Sequence, residues 1–273
     1  MPRDLNNDAD FNKCCCLARI AHKYHFQSVG AWALDILTAV WRPHAIGVGT
    51  FGVISAPTPR LVEATNIALL CQHARLTEIV NLAWKQVIQG RKTPDIVLAI
   101  NTAEQHDLSD IKGRAYYAMM ISGRSVWEQD GLLARPQRLR LLSGFHDLTL
   151  QCSAFGKEDP PDFSHSTCMT SAYQAFGRYY SPSANYCKSG WLHLWKNLWF
   201  QSQALQSFTS LSPADVIGRM SFIAANLKTL HDATLFSTGY AMAPTCLSDA
   251  STAITAMLEK RIENMPNLFV DPT

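Results

Sequence analysis

Two cysteines and two histidines in the C-terminal half of the chain have the residue types and spacing of a zinc site. They form two short pairs, His165-x2-Cys168 and Cys187-x5-His193. A structural zinc ion takes four thiolate or imidazole ligands in a tetrahedron, and it would order a segment that has few charged residues. The four residues are also compatible with unligated core and surface positions, because neither pair is C-x-x-C and a chain with eight cysteines and nine histidines contains such spacings by chance. Both readings stay open at this stage.

The other histidines do not assemble a recognisable catalytic centre. His22, His25 and His73 fall at predicted helix ends and turns, where histidine usually caps or packs. A hydrolytic triad needs a nucleophile exposed by a G-x-S-x-G turn after a strand, and neither the turn nor a strand is predicted here. The groups that such a triad would use are His106-Asp107, Ser143 and His146-Asp147. We therefore predict that the chain is not an enzyme and binds no cofactor apart from the zinc ion of the alternative above.

One glycine pattern imitates a nucleotide-binding motif. Gly47, Gly49 and Gly52 match G-x-G-x-x-G, which binds a pyrophosphate only between a strand and the helix that follows it. Here a predicted helix precedes the glycines, and Pro57 and Pro59 are expected to prevent immediate entry into the next helix. The segment is therefore predicted to be a linker.

Composition excludes several classes of partner. The hydrophobic fraction of 47% and the charged fraction of 17% are sufficient for a sizeable core. The net charge is only +2, whereas nucleic-acid-binding proteins usually carry a concentrated basic face, so no nucleic-acid partner is expected. No apolar run is long enough to cross a membrane, and the polar N-terminus lacks the apolar block of a signal peptide. We predict an intracellular protein, either nuclear or cytoplasmic, whose cysteines are mostly small buried side chains.

The elements that must position these groups are helices, because one apolar pattern occurs three times in the first half of the chain. Taking Phe26, Leu76 and Leu108 as anchors, each copy has a small residue five positions earlier and a branched apolar residue three positions later. Each copy also has an alanine seven positions after its anchor: Ala33, Ala83 and Ala115. A hydroxyl residue that could cap a new helix follows each anchor within two positions: Ser28, Thr77 and Ser109. The repeated unit is predicted to be helix, tight turn, helix, and it must stack on a neighbour to bury its apolar stripe.

The predicted fold class is all-α, with stacked antiparallel helix hairpins and a C-terminal helical region. The predicted segments are a helix pair over 1–42, a Gly/Pro linker over 43–59, further hairpins over 60–156, and a Cys/Trp-rich helical region over 157–273. Pro43 is expected to end the second helix. The apolar stripes of the first two helices, which include Leu17, Ile20 and Trp32, are expected to face the core.

A tryptophan stripe marks the C-terminal region. Trp191, Trp195 and Trp199 recur every four residues, with leucines beside them, and this spacing gives one very hydrophobic helix face. Such a face is either core or an exposed partner-binding groove.

The hairpins resemble a known family. The stretch ARIAHKYHFQSVGAWALDIL resembles the helical end of the BTB/POZ domain, and IALLCQHARLTEIVNLAWKQVI and LAINTAEQHDLSDIKGRAYYAMM resemble the BACK-type hairpins that follow it. With RPQRLRLLSGF and the Cys/Trp-rich segment, the chain is similar to fungal BTB-domain-containing proteins. In these terms 1–42 would be the C-terminal helix pair of a BTB domain, and 60–156 would be BACK-like.

The resemblance implies a non-catalytic adaptor that holds protein partners, in some family members for a ubiquitin ligase or a transcription complex. A complete BTB domain has a β-rich half before these helices, and this half forms much of its homodimer surface. Only about ten polar residues precede the first predicted helix, so BTB-type homodimerisation is not expected. The alternative function is a zinc-stabilised regulatory module built on His165, Cys168, Cys187 and His193.

Overall fold

The all-α prediction is confirmed for the residues that the computed structural model describes, which are 8–46, 58–90, 92–155, 157–162, 184–204, 212–232, 242 and 244–269. Helices occupy nearly all of these ranges, and no strand occurs within them. In the first half they are α1 (Asp8–Tyr24), α2 (Gln27–Ile46), α3 (Thr58–Leu70), α4 (Ala74–Gln89), α5 (Thr93–Gln105) and α6 (Ser109–Ile121). They continue with α7 (Arg124–Gln129), α8 (Arg135–Phe155), α9 (Ala184–Ala204), α10 (Val216–Asp232), α11 (Pro244–Glu263) and a 3₁₀ helix (Met265–Leu268).

The chain divides into two compact units. Unit 1 contains residues 1–122 and 129–134, and unit 2 contains residues 123–128 and 135–273. The boundary differs from the predicted segments, because the predicted segment 60–156 is shared between the two units. The helix pair predicted within 1–42 belongs to the same unit as α3 to α6.

Unit 1 consists of three successive helix pairs, α1–α2, α3–α4 and α5–α6. Within each pair the two helices pack on each other, and each pair also packs on the next through α1 with α3, α2 with α4, α3 with α5, and α4 with α6. Polar contacts link the same helices: Arg19 and Glu63 form an ion pair at 2.6 Å between α1 and α3, and Lys85 and Asp110 form one at 2.9 Å between α4 and α6. The odd-numbered helices therefore form one layer and the even-numbered helices the other.

All three pairs turn in the same way. In each turn one residue has a left-handed backbone with φ between 50° and 59°, and these residues are His25, Gln72 and Asp107. The backbone N–H of the next residue then donates to the carbonyl five positions back, at 2.9–3.0 Å: Phe26 to Ala21, His73 to Ala68 and Leu108 to Ala103. This is the Schellman arrangement that closes a helix C-terminus. The equivalent residues of the three turns are therefore Phe26, His73 and Leu108.

The geometry corrects the predicted register of the middle copy. Its turn residue is His73, three positions before the predicted anchor Leu76, and the small residue five positions earlier is Ala68 instead of Cys71. The pattern of apolar residues alone allowed either register, because Leu76 and His73 both follow a small residue by five positions.

The predicted capping residues are also wrong. The cap of α4 is His73, whose Nδ1 accepts a hydrogen bond from the backbone N–H of Leu76 at 3.1 Å. Thr77 lies inside α4 and donates its hydroxyl proton to the His73 carbonyl. Ser28 lies in the first turn of α2, and Ser109 is the first residue of α6 after Leu108, which makes no side-chain cap.

Two prolines behave differently from the prediction. Helix α2 passes Pro43 and runs to Ile46, because the fixed φ of proline is itself helical and the loss is one backbone hydrogen bond. Helix α3 begins at Thr58 and places Pro59 in its first turn, where a missing N–H has no helical acceptor to lose. Helical residues therefore occupy both ends of the predicted linker 43–59, and its glycine motif lies outside the described residues.

Unit 2 is built around α10. This helix packs on α8, α9 and α11, and the 3₁₀ helix packs on α8 and α11. The side chain of Asp215 caps α10, since its Oδ1 accepts from the backbone N–H of Gly218 at 2.7 Å. One turn later Arg219 is only 2% exposed, and its guanidinium lies 6.0 Å from the ring centroid of Trp199.

Gln72→Gly should raise the free energy of unfolding by about 0.5–1 kcal/mol. A left-handed backbone costs a residue with a Cβ about 1–2 kcal/mol, and glycine avoids this cost. The greater conformational freedom of glycine in the unfolded chain offsets part of the stabilisation. Urea unfolding followed by circular dichroism measures the change. The matched control is Ala39→Gly at an exposed position inside α2, which should lower the free energy of unfolding by about 1 kcal/mol. A loss in both variants would contradict the shared turn geometry.

Candidate functional site

The first helix pair exposes an apolar surface to solvent. On α1 the exposed side chains are Leu17, Ile20 and Tyr24, at the helical spacing i, i+3, i+7, and on α2 they are Val29 and Trp32. Phe26 lies in the turn and joins the two stripes, with its ring centroid 6.2 Å from that of Tyr24. We call these six residues the end face. Tyr24 is 57% exposed and Trp32 is 53% exposed, so the largest side chains of the set are not core residues.

The prediction that these stripes face the core is wrong for the end face. Each helix is apolar on two adjacent strips of its surface. The strip that is covered contains Phe11, Cys14, Ala18, Ala33 and Leu37, all at most 5% exposed. Helical periodicity could not separate the two strips, because it reports which residues are apolar and not which of them another element covers.

Charged groups near the end face are already engaged within the chain. Arg19 is held by Glu63, and Lys13 pairs with Asp10 at 3.1 Å. The ammonium of Lys23 lies 5.2 Å from the centroid of the Tyr24 ring. The end face therefore exposes mainly apolar and aromatic surface, which is typical of the centre of a protein–protein interface.

A groove of about 340 Å³ lies beside the first two turns and contains several titratable groups. It is lined by residues that include His22, His25, Asp35 and His73. The Nδ1 of His73 is already used as the acceptor that caps α4. Among the residues that the structure describes, no three histidine, cysteine or acidic side chains are placed to hold a metal ion.

Four thiols of the described residues, Cys14, Cys15, Cys71 and Cys152, are not activated. Burial raises the pKa of Cys15 to about 12 and the pKa of Cys152 to about 11. Burial also raises the pKa of Cys14, with a smaller contribution from Asp10, and the pKa of Cys71. A nucleophilic cysteine needs its pKa lowered, so these four thiols have the environment of packing residues.

Two of the four predicted zinc ligands can be located. Cys187 and His193 lie on α9, where Cys187 is 1% exposed and packs against Cys246, while His193 is exposed. Six helical residues separate two side chains by about 9 Å along the axis and about 120° around it. A zinc ion bound by both would therefore require the first turns of α9 to unwind. His165 and Cys168 lie outside the described residues, and the four-residue site stays a prediction.

The zinc prediction has a direct test in the metal content of the protein. If the four residues bind structural zinc, protein purified without added metal should contain about one equivalent of zinc per chain, because structural sites bind tightly. Atomic emission spectrometry measures the content, and a Cys168→Ala variant should then lose the metal. Less than about half an equivalent in the unaltered protein would contradict the site.

The tryptophan stripe of α9 is core. Trp191, Trp195 and Trp199 are each at most 3% exposed, and successive ring centroids lie 5.9 Å apart. Phe155 extends the cluster from α8, with its ring centroid 5.7 Å from that of Trp199. The buried reading is therefore confirmed, and the alternative of an exposed groove on this stripe is wrong.

The residues considered for a hydrolytic triad are distributed over both units. His106 and Asp107 lie in the turn between α5 and α6, where His106 Nε2 is 2.7 Å from Asn66 Oδ1. Ser143 and His146 lie on α8 in unit 2, one turn apart. His106 is thus used to join α5 to α3.

No protein-family model, no curated protein and no solved structure matches this chain. In the described part of the chain, no helix combines the length and the apolar character needed to cross a membrane.

Proposed function

We propose that this chain is a non-catalytic protein-interaction module, an adaptor of the kind implied by its resemblance to fungal BTB-domain-containing proteins, and that it holds its protein partner on the end face. The observation that supports the proposal is the exposure of six large apolar side chains on two adjacent helices and the turn between them. Monomeric soluble proteins rarely expose contiguous apolar surface of this kind unless it binds something. Aromatic side chains are also enriched at the centres of protein interfaces, and the end face contains three of them.

The chemistry of the remaining groups supports the non-catalytic part of the proposal. Four of the cysteines have raised pKa values, which is the opposite of what a nucleophile requires. His73 and His106 are engaged in hydrogen bonds that hold helices together.

Partner capture with matched surface variants tests the proposal. The immobilised protein should retain a partner from native cell extract in a saturable manner, and Ile20→Glu or Trp32→Glu should reduce the retained amount at least about tenfold, because a charge is then buried in the contact. Leu150→Glu is the control, since Leu150 is equally exposed, at 57%, but lies on α8 in unit 2.

All three variants should keep the circular dichroism spectrum and the unfolding midpoint of the parent, because the replaced side chains are exposed. Equal retention by the end-face variants and by the control would contradict the proposed face. Failure of the parent protein to retain any partner under native conditions would contradict the function.

A further inference from the structure

The shared turn geometry allows the three helix pairs to be compared residue by residue. Counting from Phe26, His73 and Leu108, the positions 12, 8 and 5 residues before the turn and 7 and 11 residues after it are buried in every pair. The residues before the turn are Cys14, Ala18 and Ala21 in the first pair, Leu61, Thr65 and Ala68 in the second, and Ile96, Ile100 and Ala103 in the third. The residues after the turn are Ala33 and Leu37, Val80 and Trp84, and Ala115 and Met119. These positions form the common core of the stack.

A second set of positions is buried in the last two pairs and exposed in the first. Nine and six residues before the turn and three residues after it, the first pair has Leu17, Ile20 and Val29, which are 38–49% exposed. The equivalent residues are Ala64, Ile67 and Leu76 in the second pair and Ala99, Thr102 and Ile111 in the third, and none of these is more than 3% exposed. The position six residues after the turn differs in the same direction between the first two pairs, since Trp32 is exposed and Ile79 is 8% exposed, whereas the third pair has the partly buried Arg114 there.

The difference between the pairs has a simple structural cause. The second and third pairs each have another helix pair packed before them in the stack. In the part of the chain that the structure describes, no helix precedes α1. Four of the six end-face residues, Leu17, Ile20, Val29 and Trp32, therefore occupy positions that are buried in a helix pair with another pair packed before it.

We infer that the ligand of the end face is an antiparallel pair of α-helices in a partner protein, which continues the stack by one step. This inference rests on the proposed function and specifies its partner. The contact would repeat an interface that unit 1 already makes twice, between successive helix pairs.

The side chains of the end face also indicate what the partner presents. At the position nine residues before the turn, the inner pairs have alanine and the first pair has leucine, and Trp32 replaces a smaller side chain in the same way. A helix pair that approaches the end face at the usual helix spacing of 8–10 Å must therefore have small residues, alanine, glycine or serine, opposite Leu17 and Trp32.

Adding one helix pair to the chain tests the inference directly. A second copy of residues 8–57 is placed before Asp8, so that the added pair stands to α1–α2 as α1–α2 stands to α3–α4. Leu17→Ala and Trp32→Ile in the original pair give its end face the residues that the second pair has at these positions, Ala64 and Ile79. Because the covered strip of the added pair already fits such a face, the added pair should fold onto the end face. The helical ellipticity should rise by the contribution of two helices, and the added pair should resist limited proteolysis as well as α3–α4 does.

Position-specific variants supply the controls. In the first control, the original α1–α2 pair carries both Ile20→Glu and Val29→Glu. The added pair should then stay unfolded, and the protease should cleave it at least about tenfold faster. The same two substitutions in the added pair only should be tolerated, because its equivalent face is then the exposed end. If the added pair stays unfolded in the parent sequence, or if both placements behave alike, the inference is overturned.

The proposed function can fail or succeed independently of this result. Partner retention that depends on Ile20, combined with an added pair that does not dock, would mean that the face binds a partner of another shape. Sedimentation equilibrium of the unaltered chain provides the remaining arm. A monomer supports the inference, and a dimer that Ile20→Glu dissociates would overturn it in favour of a second copy of this chain.

Discussion

Phe269→Ala should lower the free energy of unfolding by about 3–5 kcal/mol, the usual cost of removing a large aromatic side chain from a core. Phe269 follows the 3₁₀ helix and is 1% exposed, although it lies only four residues from the end of the sequence. Its ring packs so closely on Gly144 of α8 that a Cβ at that glycine would overlap the ring. Urea unfolding followed by tryptophan fluorescence measures the loss, because three of the seven tryptophans lie in the buried α9 stripe of unit 2.

The contact with Gly144 provides a sharper form of the same experiment. Gly144→Ala should destabilise the protein by about 1–3 kcal/mol, because the ring or the helix must move. In the double variant the new methyl group enters the space that the ring has left, so the two losses should not add, and the coupling should exceed about 0.5 kcal/mol. Phe200→Ala is the control, since Phe200 is 68% exposed on α9 and its loss should cost no more than about 0.5 kcal/mol. Strictly additive losses would show that Phe269 does not pack on α8.

Asp215→Ala should also cost about 3–5 kcal/mol, for an electrostatic reason. Asp215 and Arg219 are one helical turn apart at the start of α10, and both are at most 2% exposed. Both also act on the neighbouring Cys152 thiol, since Arg219 opposes and Asp215 adds to the effect of burial on its pKa. Removing the carboxylate deletes the helix cap and also takes a negative charge from a buried region that contains the Arg219 guanidinium one turn away.

The contribution of the charge can be separated from that of the cap. Asp215→Asn keeps an oxygen that can accept from the Gly218 N–H. The loss of stability that this variant still shows therefore reflects the removal of the charge. Arg219→Met in the Asp215→Asn background should recover most of the loss, because an apolar side chain beside Trp199 needs no counter-charge. A double variant as unstable as Asp215→Asn alone would show that the two charges do not compensate each other.

The helix pairs of unit 1 could be predicted because their local signals agree. The apolar spacing, the alanines and the short polar turns all indicate helices joined by tight turns, and α1 to α6 form three such pairs. The middle register was missed because the signal that fixes it is a left-handed backbone at Gln72, a residue type with no particular preference for that conformation. The continuation of α2 beyond Pro43 was not predicted, because proline lowers the stability of a helix without always ending it.

The candidate site could not be predicted for a different reason. Leu17, Ile20 and Val29 are apolar at helical spacing, as are the buried residues around them. Whether such a residue is core depends on a neighbour that the residue itself does not encode. For the tryptophans of α9 the sequence allowed both a core position and an exposed groove, and the structure shows a buried stripe with Phe155 and Arg219 against Trp199.

The layered contacts of unit 1 have a kinetic consequence. Within the described residues of unit 1, the middle helix pair packs on a pair at either side, whereas the first pair packs on one such neighbour. Opening should therefore spread inward from α1 and α2, whose backbone amides should exchange their hydrogens for deuterium before those of α3 and α4 do. A partner bound to the end face would cover α1 and α2 and slow the hydrogen exchange of their backbone amides. Binding would therefore be detected as slower exchange in helices that are already folded in the free protein.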